Sequence, residues 1–232
     1  MQIAGSTALV TGANRGLGRH FAEQLLERGA TVYAAARNPA SVDIPGAIPV
    51  QLDVTDRGSI AAAAELARNV SLLINNAGSF TGVSLVDGDR SDIELEMNTH
   101  YYGPLDVIRA FAPQLAKHDS SAILNVLSVL SWVTFPGYTG YSAAKSAAWS
   151  LSNGVRLELA SQNTQVSALH VGFMDTEMVS HVDAPKSDPA AVARLALNGL
   201  EAGDLEILAD ELSGTVRANL AGGVATLYPP SA

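Results

Sequence analysis

A glycine-rich segment lies between an apolar run and a helical pattern, and it restricts the fold of this chain more than any other feature. Residues 7–10 are apolar enough for a buried parallel strand, and residues 11–18 read TGANRGLG. Apolar residues then recur at helical spacing over 17–28. Glycines let a backbone approach a pyrophosphate, and a helix N-terminus offers unpaired N–H groups. The segment predicts a phosphate-binding strand–turn–helix unit, with an ordinary tight turn as the simpler alternative.

Strand-like and helix-like patterns alternate along the rest of the chain. Strands are predicted at 7–10, 31–36, 48–52, 72–74, 123–127, 166–170 and 206–208, and helices at 17–28, 60–67, 93–117, 142–160 and 190–202. This alternation predicts an α/β fold with a doubly wound, mostly parallel sheet and helices on both faces. No repeat or linker divides the chain, so we expect a single domain over residues 1–232. Residues 180–189, rich in Pro, Asp and Ser, are predicted to form a surface loop placed to act as a lid.

Composition excludes several classes of function. Apolar residues make up 47% of the 232 residues, and the net charge of −9 argues against general nucleic-acid binding. The absence of cysteine rules out disulfides, thiolate metal sites and cysteine nucleophiles. We find no signal-peptide pattern and no apolar stretch long enough to read as a membrane span, so a cytoplasmic location is expected.

The end of the second predicted strand indicates which dinucleotide is bound. Sites for NAD usually carry an acidic residue there, which bonds the ribose 2′-hydroxyl. Here residues 34–37 read AAAR, and Arg37 can instead bond a 2′-phosphate. Arg15, inside the glycine loop, can reach the same phosphate, although both side chains could simply be solvated surface arginines. Their joint placement, with the acid absent, favours NADP over NAD.

Two further strand ends carry polar or small residues where ligands of open α/β sheets bind. Asp53 and Val54 follow the third predicted strand, and Asp53 could accept a bond from an adenine amine. Asn75 to Gly78 follow the fourth strand. Because strand-end asparagines often do structural work in turns, we expect Asn75 to be structural and Asn76, Ala77 and Gly78 to face the cofactor.

Tyr141 and Lys145 form the candidate catalytic pair. They are four residues apart at the start of a predicted helix, so their side chains share one face. A nearby cation favours phenolate, which lowers a tyrosine pKa toward the range useful for acid–base chemistry. Such pairs are also common on helix surfaces. Ser128, at the C-terminal end of the fifth predicted strand, could hold a substrate carbonyl near Tyr141; Ser131 is the alternative, with less suitable spacing.

These residues together resemble the short-chain dehydrogenase/reductase family along essentially the whole chain. The matching segments are residues 11–18, Asn75 to Gly78, Ser128, and Tyr141 with Lys145. The resemblance implies a Rossmann fold and hydride transfer between a nicotinamide and a carbonyl or alcohol carbon. It also implies that Tyr141 is the acid/base, that Lys145 lowers its pKa and bonds the nicotinamide ribose, and that Ser128 orients the substrate oxygen.

The resemblance extends to the loop after the sixth strand, where Gly172, Met174 and Thr176 match the segment that holds the nicotinamide carboxamide. Arg15 and Arg37 match basic positions of NADP-preferring members. The predicted cofactor-binding set is Gly12, Asn14, Arg15, Gly16, Leu17, Gly18, Arg37, Asp53, Val54, Asn76, Ala77, Gly78, Tyr141, Lys145, Gly172, Met174 and Thr176.

Two positions depart from the family pattern. His100 occupies the slot of an asparagine that holds a water between the lysine and solvent. It could relay protons through its ring nitrogens, fill the place of the water, or be a buried structural histidine. Val171 replaces the usual proline before Gly172, which could loosen that loop but removes no catalytic atom.

The resulting functional prediction is an NADP(H)-dependent carbonyl reductase or alcohol dehydrogenase. The alternatives are a nucleotide-sensing binding protein with impaired catalysis and a non-redox reaction on the same scaffold. Five loop side chains suggest an apolar or aromatic substrate pocket, or else serve only in packing: Trp132, Phe135, Tyr138, Phe173 and Met178. The resemblance also implies a homodimer or homotetramer.

Overall fold

A computed structural model of the chain describes residues 1–180 and 182–229. Within these residues, seven strands form one sheet in the order β3-β2-β1-β4-β5-β6-β7, and every pair of neighbours is parallel. The strands are β1 (Thr7–Thr11), β2 (Thr31–Ala36), β3 (Ile48–Gln51), β4 (Leu72–Asn75), β5 (Ser121–Val126), β6 (Thr164–His170) and β7 (Glu206–Leu208). The predicted doubly wound α/β fold is confirmed.

Helices cover both faces of the sheet. They are α1 (Gly16–Glu27), α2 (Arg57–Leu66), α3 (Arg90–Met97), α4 (Gly103–Leu115), α5 (Thr139–Glu158), α6 (Pro189–Ala202), α7 (Glu211–Asn219) and α8 (Gly223–Leu227). One core joins the sheet to α1 and α6 through residues such as Phe21 and Leu197. The other joins it to α2, α4 and α5 through residues such as Phe111 and Val155. Both faces of a parallel sheet need this cover, which explains the near-continuous apolar runs of its strands.

The order of the strands reverses between β1 and β4. The chain builds outward from β1 to β3 on one side and from β4 to β7 on the other. The loops that follow β1 and β4 therefore separate at this point and leave a crevice at the carboxyl edge of the sheet, where open α/β folds bind their ligands. The glycine loop, the Asn76 segment and the end of β5 all meet at that edge.

Two parts of the structure differ from the sequence-based prediction. The single helix predicted at 93–117 is divided by a π-helical turn, Asn98–Tyr102, between α3 and α4. Two C-terminal helices, α7 and α8, were not predicted. Asp210 begins α7 by accepting a hydrogen bond from the Ser213 N–H at 2.7 Å. This helix has only a short, weakly patterned apolar face, which is why periodicity did not find it.

The predicted lid region lies between β6 and α6. A short 3₁₀ helix occupies Glu177–Val179, and Met174 pairs with Ser187 in an isolated bridge. Residue 181, inside the predicted loop, lies outside the described residues. No helix among residues 1–180 and 182–229 is long and apolar enough to cross a membrane.

Candidate active site

The glycine loop has the shape required for close contact with a pyrophosphate. Gly12 and Gly16 have positive φ angles of 66° and 54°, which other residues rarely adopt. A Cβ on Gly18 would lie 2.2 Å from the Gly12 carbonyl oxygen. Helix α1 follows with Arg15 at its N-cap and no side-chain capping bond, so the N–H groups of its first turn remain available for an anion. The loop therefore fits the phosphate cradle predicted for residues 11–18.

The Asn75 and Asn76 side chains both have structural partners. Asn76 Nδ2 donates to the Thr11 and Gly12 carbonyls, at 2.9 and 3.2 Å, and so ties the end of β4 to the glycine loop. Thr11 Oγ1 accepts from the Asn76 and Ala77 N–H groups in return. Asn75 donates to Asn125 Oδ1 at 2.8 Å in the sheet. These bonds place Ala77 and Gly78 beside the crevice.

The two arginines predicted to hold a 2′-phosphate have different surroundings. Arg37 is exposed at the end of β2 and has no ion pair or side-chain hydrogen bond with any residue that the structure describes. Arg15 forms an ion pair with Glu177, in the loop after β6. Asp53, at the end of β3, accepts from the Thr55 N–H and hydroxyl through one carboxylate oxygen. Arg37 is therefore the arginine more readily available to an anion.

The loop after β6 lies over the glycine loop. The Gly172 N–H donates to Asp210 Oδ2 at 2.6 Å, and Thr176 Oγ1 donates to the Met174 carbonyl at 3.4 Å. A Cβ on Gly16 would lie 3.5 Å from Thr176 Cγ2. The predicted carboxamide-binding segment thus borders the same crevice. Asp210, which holds this segment through the Gly172 N–H, lies at the start of the unpredicted helix α7.

Ser128, Tyr141 and Lys145 meet at the end of β5. Ser128 Oγ lies 3.3 Å from the Val171 carbonyl oxygen, and when its hydroxyl donates to Tyr141 instead, that hydrogen bond lowers the pKa of the phenol. Lys145 Nζ donates to the Val126 carbonyl at 2.8 Å and lies 5.5 Å from the centre of the Tyr141 ring. The alternative serine, Ser131, instead accepts the Ser128 N–H. The geometry therefore favours Ser128 as the serine that faces Tyr141.

Burial governs the ionisation of this pair. Burial and the Glu96 carboxylate raise the pKa of Tyr141, and the Ser128 hydrogen bond opposes them only in part. This direction differs from the sequence-based expectation, because burial, the largest cause of the shift, arises only when the chain packs. Burial lowers the pKa of Lys145 to about 8, although Glu96 opposes that shift. A neutral Tyr141 hydroxyl beside a lysine that titrates near physiological pH is suited to donating a proton.

His100 is buried against Tyr141. Its ring meets the Tyr141 ring edge-on, with centroids 5.0 Å apart, and lies in the π-helical turn between α3 and α4. Its Nε2 lies 3.2 Å from Glu96 Oε2 and 2.9 Å from the Ser79 carbonyl oxygen. Burial and the Lys145 charge lower the pKa of His100. The structure thus places His100 next to Tyr141, the predicted acid/base.

The five side chains predicted to line a substrate pocket have three different surroundings. Tyr138 stacks on Phe80 at 5.1 Å and lies 6.1 Å from Phe173, and Phe80 also meets Tyr141. Trp132 instead stacks on His170 at 3.8 Å, which makes it a packing residue. The remaining two candidates are exposed; they are Phe135 and Met178. Phe80, Tyr138 and Phe173 therefore form an aromatic wall next to Tyr141.

Sequence reasoning missed Glu96, Phe80 and Asp210. Glu96 was open to discovery, because a residue four positions before His100 shares its helix face. Phe80 lies in an irregular loop, and Asp210 reaches Gly172 across a long stretch of chain. No sequence pattern indicates either contact. No group of three or more metal-ligating side chains occurs among residues 1–180 and 182–229.

Comparison with known proteins adds independent information. The short chain dehydrogenase family profile matches residues 6–187. A 3-oxoacyl-[acyl-carrier-protein] reductase from Thermotoga maritima is 30% identical over 210 residues, covering 85% of each chain. The family match spans the glycine loop, Ser128, Tyr141 and Lys145.

Solved structures agree with the fold. A short chain dehydrogenase from Burkholderia cenocepacia, in complex with NADP, superposes with a TM-score of 0.91 at 38% identity, covering 95% of this chain and 94% of the other. A short chain dehydrogenase/reductase from Burkholderia phymatum, in complex with NAD, superposes over 100% of both chains with a TM-score of 0.87 at 24% identity. At that lower identity the second match supports the fold alone.

Proposed function

The chain belongs to the short-chain dehydrogenase/reductase family, and from this premise we propose that it interconverts a ketone or aldehyde and an alcohol with NADP(H). The observation that carries the proposal is the convergence of Ser128, Tyr141 and Lys145 at the end of β5, beside the glycine loop. The similarity to a 3-oxoacyl reductase supports a carbonyl substrate. The aromatic wall of Phe80, Tyr138 and Phe173 supports an apolar or aromatic one.

In the proposed reaction, Ser128 and Tyr141 hold the substrate oxygen between their hydroxyls. NADPH, when bound by the residues named below, would supply the hydride for the carbonyl carbon. Tyr141 donates its proton to the oxygen as negative charge develops there, and Ser128 keeps that oxygen in line. The Lys145 ammonium then favours the phenolate and returns a proton to it. In the direction of alcohol oxidation, the same groups act in reverse.

The residues present fit a nicotinamide dinucleotide. The first turn of α1 has free N–H groups that suit the pyrophosphate. Gly12 and Gly18, where a Cβ would clash with backbone atoms, keep the loop close enough for that contact. Gly172, Met174 and Thr176 would hold the carboxamide, and Lys145 and Tyr141 the nicotinamide ribose. Ala77 and Gly78 would border the adenosine side with Asp53 and Val54. Arg37 and Arg15 would bond the 2′-phosphate that distinguishes NADP from NAD.

Replacing Arg37 with aspartate should weaken NADPH binding by at least about tenfold, since a charge-assisted hydrogen bond is worth about 1.5–3 kcal/mol. NADH should be affected far less, because it lacks the 2′-phosphate and an acidic side chain can bond its ribose hydroxyl. Dissociation constants for both nucleotides, measured by calorimetry, test this. Arg68→Asp, at an exposed arginine paired with Glu65, is the matched control. Equal losses for NADPH and NADH would contradict the contact.

Replacing Glu177 with glutamine should tighten NADPH binding, because this carboxylate occupies Arg15 and adds negative charge near the 2′-phosphate. Both side chains are largely exposed, so the gain should be at most about fivefold and should shrink as salt rises. Titrations of NADPH at low and high ionic strength measure it. Glu94→Gln, which removes a remote exposed charge, should change nothing. Weaker NADPH binding in Glu177→Gln would show that Glu177 supports the cofactor.

Turnover itself is tested with a panel of aromatic, aliphatic and 3-oxoacyl carbonyl compounds and NADPH, followed at the nicotinamide absorbance. The proposal expects oxidation of NADPH that depends on the carbonyl compound. Tight NADPH binding with no turnover across the panel would favour the alternative of a nucleotide-sensing protein. The departure at His100 is the feature that supports that alternative.

Three further predictions concern the domain organisation, the location and the assembly of the protein. We propose that residues 1–232 act as one catalytic domain, that the protein works in the cytoplasm, and that it assembles as a homodimer or homotetramer. Exposed apolar side chains on the central helical segments support the assembly; they are Leu95, Tyr102 and Leu157.

A further inference from the structure

Glu96 is a fully buried acidic side chain that the proposed reaction does not use. It lies near the end of α3, with 0% of its surface exposed. One carboxylate oxygen accepts the Thr81 N–H at 2.5 Å; the other lies 3.0 Å from Ser79 Oγ and 3.2 Å from His100 Nε2. A buried carboxylate is tolerated only when such donors satisfy it. Burial disfavours its charge, yet the hydrogen bonds from His100 and Thr81 hold the pKa of Glu96 below its ordinary value.

The contacts of His100 indicate which of its nitrogens carries the proton. Nε2 lies 2.9 Å from the Ser79 carbonyl oxygen and 3.2 Å from Glu96, and both of these oxygens can only accept. The Ser79 N–H is also within 3.3 Å of Nε2 and would suit the opposite tautomer. The carbonyl is closer, and the carboxylate carries a full charge, so the proton belongs on Nε2. Nδ1 has no hydrogen-bond partner among the described residues.

The backbone brings these two side chains together at a break in the helix. Glu96 belongs to α3, while His100 lies in the π-helical turn Asn98–Tyr102. The Gly103 N–H bonds the Asn98 carbonyl, five residues back, which closes this wider turn. Single π-helical turns inside helices occur frequently at functional sites. Here the turn carries His100 into the interior, next to the ring of Tyr141.

We propose that Glu96 is a positioning residue that holds His100 as its Nε2–H tautomer and so leaves Nδ1 as a proton acceptor beside Tyr141. A carboxylate that bonds one ring nitrogen in this way fixes both the tautomer and the orientation of a histidine. Glu96 thereby adapts the site to histidine where the family usually has asparagine.

The catalytic consequence rests on the proposed function. During carbonyl reduction, Tyr141 gives up a proton and regains one from Lys145. A proton taken from solvent at Nδ1 makes His100 an imidazolium, which the Glu96 carboxylate stabilises. That proton then passes toward Lys145, and His100 returns to its neutral form. The complete sequence of transfers moves one proton from solvent to the substrate oxygen and returns Tyr141, Lys145 and His100 to their starting protonation states.

The tautomer is measured directly by long-range proton–nitrogen NMR of the histidine rings in the full-length, ¹⁵N-labelled protein. The signals of His100 are identified as those missing from His100→Asn. In the wild-type protein near neutral pH, we expect a protonated-type shift at Nε2 and an unprotonated-type shift at Nδ1. A proton on Nδ1, or on both nitrogens, would overturn the proposal. This spectrum needs no folded Glu96 variant and no substrate.

Glu96→Gln tests the cause of the tautomer. The amide can still fill the space and accept a hydrogen bond, but it lacks the charge that favours the Nε2 proton. Both His100 nitrogen shifts should move toward the average of the two tautomers. Glu94→Gln, at an exposed neighbour paired with Arg90, should leave them unchanged. If the ¹⁵N shifts of His100 stay unchanged in Glu96→Gln, the Ser79 carbonyl alone fixes the tautomer and the proposal is wrong.

Kinetics separate positioning from mere support of the fold. Glu96→Gln should lower kcat roughly tenfold, as the loss of an orienting carboxylate commonly does, with little change in NADPH affinity. In a His100→Asn background, the same substitution should have no further effect on kcat, because no tautomer remains to be set. Equal losses in both backgrounds would contradict the proposal. Absence of carbonyl turnover in the wild-type protein would defeat the proposed function and leave the NMR result standing.

Discussion

Replacing Tyr141 with phenylalanine will lower kcat for carbonyl reduction by about 10²- to 10⁴-fold, the usual contribution of a positioned acid or base. The substitution removes one hydroxyl and keeps the ring that packs against His100 and Phe80. NADPH affinity should be largely retained, because the glycine loop and Arg37 are untouched. Steady-state kinetics on a substrate from the carbonyl panel, with calorimetric NADPH titration, give both quantities.

Tyr138→Phe is the matched control for this experiment. Tyr138 belongs to the aromatic wall and stacks on Phe80. Its substitution also removes a phenolic hydroxyl, but this hydroxyl does not bind the substrate oxygen in the proposed reaction. Its kcat should stay close to that of the wild-type protein. Near-normal turnover in Tyr141→Phe would remove Tyr141 from the role of acid/base. Comparable losses in both variants would point to disruption of the aromatic wall.

Replacing Gly18 with alanine will weaken NADPH binding by about 10- to 100-fold, and it will lower Tm as well. The new Cβ would lie 2.2 Å from the Gly12 carbonyl oxygen and 2.5 Å from Asn76 Nδ2. Because the nearest atom belongs to the backbone, the glycine loop itself must move, and overpacking of this kind costs about 1–3 kcal/mol. Displacement of the loop also moves the N–H groups that the pyrophosphate requires. Calorimetry and thermal unfolding measure the two effects.

Gly214→Ala supplies the matched control. Gly214 lies within α7, and a Cβ there would meet nothing within 4 Å. Alanine is preferred over glycine inside a helix by about 0.5–1 kcal/mol, so Tm should stay the same or rise slightly, with NADPH affinity unchanged. Wild-type NADPH binding in Gly18→Ala would show that the cradle does not depend on the close approach of Gly12 and Gly18.

The strands and the phosphate cradle were predictable because each depends on local patterns. A strand buried on both faces of a parallel sheet is apolar along most of its length, and the apolar run of β2 predicts the bounds of that strand to the residue. The cradle needs glycine where φ is positive, as at Gly12 and Gly16. The i, i+4 spacing of Tyr141 and Lys145 likewise follows from helix geometry alone.

Other features depend on contacts between distant parts of the chain. The π-helical turn has no residue preference that the sequence could reveal. It divides into α3 and α4 the segment that periodicity predicts as a single helix at 93–117. Helices α7 and α8 were missed because their apolar faces are short. The pairing of Arg15 with Glu177 was also unforeseeable, since the loop after β6 reaches the glycine loop only in the folded protein.

The amino-acid sequence by itself determined the doubly wound sheet, the glycine loop and the candidate residues Ser128, Tyr141 and Lys145, because spacing and polarity specify local structure and strand ends converge at one edge. Only the tertiary structure decided how these groups are charged. Burial and the carboxylate of Glu96 set the ionisation of Tyr141, and contacts with Ser79 and Glu96 set the orientation of His100. The pKa of a side chain and the tautomer of a histidine depend on desolvation and on neighbours from several elements. That environment is formed only when the chain packs.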